Sequence, residues 1–89
     1  MGRRPTVCPE SSASGLQATA AGFRSDASGD GSAAIGSYSN ASAFAASAFG
    51  YGAEASQESA TALGFGAVAS HYDSTALGSN AIASGDNSV

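Results

Sequence analysis

Gly22-Phe23-Arg24-Ser25-Asp26-Ala27-Ser28-Gly29-Asp30-Gly31-Ser32-Ala33-Ala34-Ile35 runs directly into Gly36, where the phrase begins again. Glycine then recurs every fourteen residues, at Gly50, Gly64 and Gly78. A fixed period of this length is the mark of a solenoid, in which each copy is one unit that buries its apolar face only against its neighbours. Counted from the glycine, the sixth position is always alanine (Ala13, Ala27, Ala41, Ala55, Ala69, Ala83) and the seventh always serine (Ser14 through Ser84). A looser first copy starts at Cys8, with cysteine in the glycine's place.

Within a copy the small residues sit two apart. Position four reads Ser11, Ser25, Ser39, Ala53, Ala67 and Ala81; position eleven is Ala18, Ser32, Ala46, Ala60, Ser74 and Ser88; position thirteen is Ala20, Ala34, Ala48, Ala62 and Ala76. Period two is the strand period, so four and six share one face, as do eleven and thirteen. Each copy is expected to hold two short strands, near positions three to seven and eleven to fourteen. One turn falls at positions eight to ten, where Gly29-Asp30-Gly31 and Gly85-Asp86-Asn87 are turn strings. The other falls at the repeat glycine, a place suited to positive φ or close backbone approach. Helix is excluded despite the alanine, because glycine interrupts every copy and alternation by two does not fit 3.6 residues per turn. Disorder fits the Ser and Gly content but not a register kept over five copies. Stacking each strand on the strand fourteen residues later gives a parallel roll rising about 4.8 Å per coil. Only Ala, Ser or Gly fits between the two strands of so thin a coil.

The outward positions differ. Position five (Ser12, Asp26, Asn40, Glu54, Val68, Ile82) is mostly polar, while position fourteen reads Ala21, Ile35, Phe49, Leu63 and Leu77. An outward column of Ile, Phe and Leu requires a partner, and identical stacked columns point to a symmetric homo-oligomer. Ile35, Phe49, Leu63 and Leu77 are therefore the expected subunit interface. The alternative packs these side chains inside each coil and turns the alanines out.

The composition narrows the function. The 89 residues carry a net charge of -4 with three basic residues, which argues against nucleic acid and against docking on anionic lipid. No apolar run reaches the ~20 residues of a membrane span. The lone cysteine, Cys8, has no intrachain disulfide partner. His71, the only histidine, has no second catalytic residue in its pattern, and an enzyme is not expected. Asp30 and Asp86 lie in Gly-Asp turns, but the period and the intermediate turns do not make a calcium ladder. No cofactor and no metal are expected. Aromatic side chains enrich binding surfaces, which makes Tyr51, Phe65 and Tyr72 candidate contacts, with Tyr38 and Phe44 beside them.

The repeat resembles the YadA-like head of trimeric autotransporter adhesins, whose phrase is G-x-x-A-x-A-x-G-x-x-S-x-A-I. Gly78-Ser79-Asn80-Ala81-Ile82-Ala83-Ser84-Gly85-Asp86-Asn87-Ser88 and Gly31-Ser32-Ala33-Ala34-Ile35-Gly36 carry the likeness, which spans roughly residues 8–89. The resemblance implies an all-β, left-handed parallel β-roll of fourteen-residue repeats, homotrimeric, on the surface of a Gram-negative bacterium. It implies attachment to host extracellular matrix such as collagen, or to cells, with the outer-membrane anchor supplied elsewhere. It also implies, as ligand-binding candidates, Ser32, Ile35, Gly36 and Ser39, within the counterpart of a phrase linked to collagen binding. Ala33 departs from that phrase's valine, and the residues can act by holding the roll rather than by touching ligand. An ice-binding solenoid and a phage tail-fibre segment are the competing readings; the threonine rank an ice face needs is broken at position twelve by Ala33 and Ser47. Residues 1–7 are expected to be a disordered or capping leader. Residues 8–89 are expected to form about six coils, the last incomplete, in a piece of a longer protein.

Overall fold

The computed structural model describes residues 11–85. The expected leader, Cys8 and the last residues of the incomplete copy lie outside that range. The described chain winds into about five turns of a parallel solenoid made of eleven short strands. One sheet stacks β1 (Ser12–Ala13), β3 (Asp26–Ala27), β5 (Asn40–Ala41), β7 (Glu54–Ala55), β9 (Val68–Ala69) and β11 (Ile82–Ala83) in that order. The other stacks β2 (Thr19–Ala21), β4 (Ala33–Ile35), β6 (Ser47–Phe49), β8 (Thr61–Leu63) and β10 (Thr75–Leu77). Every pairing is parallel and shifted by one repeat, as in Ala34↔Ala48 and Ala41↔Ala55.

The first strand is shorter than the sequence suggests, covering only positions five and six. Position three belongs to the turn instead. Both turns of each coil close in the same way: the N–H of the fourth residue donates to the carbonyl of the first, as from Ser39 to Gly36 at 3.2 Å and from Ala46 to Ala43 at 3.1 Å. The third residue of each turn is left-handed, whatever its type. Arg24, Tyr38 and Asn80 hold φ near 60° in the first turn, and Gln17, Ala45, Ser59 and Asp73 do so in the second.

The repeat glycine has a firmer requirement. At Gly50 φ is 128°, and a Cβ there would lie 2.6 Å from the carbonyl oxygen of Gly64 in the next coil. A side chain is thus barred twice, by backbone conformation and by the neighbouring backbone. The glycine N–H also donates back to the preceding coil, from Gly50 to Ile35 at 2.8 Å and from Gly64 to Phe49 at 2.9 Å.

Between the sheets lies a core of small side chains. Its buried apolar members are all alanine, drawn from positions four, six, eleven and thirteen. Where serine replaces alanine, the hydroxyl is tied down locally. Ser32 donates to the Gly29 carbonyl at 2.6 Å, Ser39 to Gly36 at 2.7 Å and Ser74 to His71 at 2.6 Å. A buried hydroxyl without such a partner costs on the order of 1–3 kcal/mol, so each tie removes a penalty that the tight interior would otherwise impose. A methyl-sized group contributes roughly 0.8 kcal/mol on burial against about 1.5–3 for a leucine, so this core is weak per residue. Backbone hydrogen bonds between coils run through strands and turns alike.

Candidate functional site

The thin interior forces an inversion of the usual arrangement. Among the described residues the largest fully buried side chains are serines, and every large hydrophobic is exposed or only half-buried. The alternative in which Ile, Phe and Leu pack inside and alanines face out is therefore excluded. Three apolar features remain on the outside, each in register with the stack.

The first is the column of position fourteen on the outer face of the five-stranded sheet. Ala21 pairs with Ile35, Ile35 with Phe49, Phe49 with Leu63 and Leu63 with Leu77. Strand alternation buries the alanine before each of these and turns the column itself outward, from half-buried Ile35 to exposed Phe49, Leu63 and Leu77. The outer face of the six-stranded sheet is polar at Ser12, Asp26, Asn40 and Glu54 and becomes apolar at Val68 and Ile82.

The second feature runs along the first turn, one glycine beyond that column. Phe23, Tyr38, Tyr51 and Phe65 form an unbroken ladder of rings: Phe23 to Tyr38 at 5.8 Å, Tyr38 to Tyr51 at 5.6 Å, and Tyr51 stacked on Phe65 at 5.3 Å with the planes 9° apart. Such pairs contribute about 0.5–1.5 kcal/mol each beyond their burial. The Arg24 guanidinium sits 5.3 Å from the Phe23 ring centroid at one end, within cation–π range. Position two supplies three of the rungs, but Ser37 leaves a gap in the copy from Gly36, and Tyr38 from position three fills it. Position two in the sequence places Tyr51 and Phe65 in one column, and that column alone does not include Tyr38 as the missing rung. The small Ser37 beside a tyrosine was the available signal.

The third feature is the second turn, on the opposite edge of the coil. Tyr72 lies here with Leu16 and Phe44, apart from Tyr51 and Phe65. His71 is exposed in the same turn, and its N–H and carbonyl both engage the Ser74 hydroxyl.

The phrase candidates divide by depth. Ser32 and Ser39 are 1% exposed, with their hydroxyls committed to turn carbonyls. Gly36, with φ at 118°, stacks against the backbone of Gly50. Of that set only Ile35 presents side-chain surface outward, as part of the apolar column.

The family model described as YadA head domain repeat (2 copies) matches residues 13–39, 41–67 and 69–89, most of the chain. No curated protein matches it.

Proposed function

The chain belongs to the family of the YadA head domain repeat, and from that premise we propose that it is an adhesive head segment of a trimeric fibre displayed on a Gram-negative cell surface. Three left-handed rolls lie parallel about one axis. Their position-fourteen columns, Ile35, Phe49, Leu63 and Leu77, close against one another along it. The polar outer face of the other sheet meets water. Other segments of the fibre provide its stalk and its outer-membrane anchor.

The observation that carries this reading is the outward apolar column above a core of alanine. The alanine core is too lean to sustain an isolated coil of this length comfortably, and the large side chains that would normally supply stability are outside. Burying them between copies stabilises the roll and removes an exposed apolar stripe at once. Partners are then the two other copies of the chain and, outside the assembly, host matrix proteins such as collagen. Triplicate display turns weak single contacts into strong attachment, since linked sites gain about 10²–10⁴ in avidity over either alone.

Light scattering across a dilution series tests the assembly. We expect a mass three times that of the 8.5 kDa chain, and monomers from a Phe49→Ser, Leu63→Ser double variant. A dilution-stable, folded monomer of the unaltered chain would remove the basis of the proposal. Adhesion is tested by retention of the trimer on surfaces coated with collagen, fibronectin or laminin; retention on none reduces the segment to a spacer.

A further inference from the structure

The second-turn edge carries a pattern of its own. Its ninth positions read Leu16, Asp30, Phe44, Glu58 and Tyr72: apolar, acidic, apolar, acidic, apolar. Cross-coil hydrogen bonds hold these rungs in step, from Gly31 N–H to the Leu16 carbonyl at 2.7 Å, Ala45 to Asp30 at 2.9 Å, Ser59 to Phe44 at 2.9 Å and Asp73 to Glu58 at 3.1 Å. All five side chains are exposed, with Leu16 at 73%, Phe44 at 59% and Tyr72 at 55%.

The edge is not smooth. A groove lined by Leu16, Gln17, Asp30, Gly31, Phe44 and Ala45 opens between the first two apolar rungs. Gly31 leaves open space where a Cβ would project, and the Leu16 N–H donates to Asp30 Oδ1 at 3.0 Å and fixes the carboxylate beside the groove. A second notch lies against Gln57, Ser70, His71 and Tyr72. The formal charges of the described turn are all negative, at Asp30, Glu58 and Asp73, while the only described arginine, Arg24, sits in the opposite turn.

We propose that this edge docks a peptide in polyproline II conformation that bears a lysine or arginine at every third residue. Coils rise about 4.8 Å, so like rungs recur every ~9.6 Å. A polyproline II helix has three residues per turn and a rise of about 3.1 Å, so one of its faces repeats every ~9.3 Å. One face of a β-strand repeats at about 6.8 Å and one α-helical turn at about 5.4 Å, and both fall out of step with the edge. In register, the basic side chains meet Asp30 and Glu58 while proline rings lie over Leu16, Phe44 and Tyr72, the aromatic-lined mode in which such helices are recognised. The preformed peptide loses little conformational entropy on docking. The proposal rests on the reading that position fourteen, and not this edge, faces the assembly axis.

The test uses the folded chain in whatever assembly it forms, with fluorescently labelled peptides followed by anisotropy. The probe is a run of Pro-Pro-Lys triplets, which lacks the glycine a triple helix needs and so stays single-stranded. The controls are a peptide of the same composition with its lysines shuffled off the three-residue spacing, and a Pro-Pro-Glu run. We expect the spaced peptide to bind about tenfold tighter than the shuffled one, a factor that corresponds to about 1.4 kcal/mol, and the glutamate peptide not to bind. Asp30→Asn with Glu58→Gln should erase the preference, and Phe44→Ala should weaken the spaced peptide at unchanged circular dichroism. Equal binding of spaced and shuffled peptides, a preference that survives the double substitution, or no binding at all would each overturn the docking surface. Light scattering on the same samples separates the two ideas. A trimer that ignores the peptide sinks this inference alone, and a monomer that still prefers it sinks the assembly alone.

Discussion

The two turns of each coil are built alike and constrained differently. Both are closed by the same backbone hydrogen bond, and both seat a left-handed residue third. Yet the first turn begins with glycine in every clean copy, whereas the second begins with Gly15 and Gly29 and then accepts Ala43, Gln57 and His71. The first corner combines positive φ, from 118° to 132°, with direct backing onto the neighbouring backbone. Gly15 and Gly29 also back onto the next coil, but without positive φ, and Ala43, Gln57 and His71 carry a side chain at the same corner. Uniformity in this sequence therefore marks a geometric demand. Variety marks a surface free to acquire chemistry, and the acidic and apolar rungs of the second turn are its product.

Breaking the first corner should have the largest effect. Gly50→Ala places a methyl against the Gly64 carbonyl, and we expect a loss of about 3 kcal/mol or more, seen as collapse of the urea midpoint by circular dichroism. The serine ties should differ between the two turns. Ser74→Ala in the second should cost about 1 kcal/mol, since it also leaves the His71 N–H without its hydroxyl acceptor. Ser39→Ala in the first should stay within about 0.5 kcal/mol of the unaltered protein, because its hydroxyl serves only a carbonyl already bonded to a backbone N–H. Equal losses in the two would show that the second bond of Ser74 contributes nothing. Ala45→Gly should stabilise by about 0.5–1 kcal/mol, because Ala45 holds φ at 57° and relief of that strain outweighs the entropy of an added glycine. Gln57→Ala, at the tolerant corner, should stay within about 0.5 kcal/mol of the unaltered protein.

Much of this architecture was legible before any coordinates. Spacing by two at Ala53 and Ala55, or Ala60 and Ala62, identified the interior, because only a strand places such residues on one face. The period itself fixed the partner of each strand, as Ala34↔Ala48 bears out. The left-handed third seats were not read. They hold Gly31, Gly52, Gly66, Asn80 and Asp73, types that favour this conformation, but also Arg24, Tyr38, Gln17, Ala45 and Ser59, which dilute the signal. Residue type alone groups Tyr72 with Tyr51 and Phe65, although positions nine and two belong to opposite edges. The spacing of one chain gives the outward column its need for cover, and nothing in that spacing specifies what provides it.

The one-repeat shift of every strand pairing has a consequence for how such a protein changes length. Because each coil touches only the coils directly above and below it, excising the segment from Gly36 to Phe49 would let Ile35 run into Gly50 with every rung still matched. A deletion of one residue in the same place would throw all later strands out of phase and turn their alanines toward water. The molecule is thus a ruler marked in whole coils, and its reach is adjustable only in steps of about 4.8 Å.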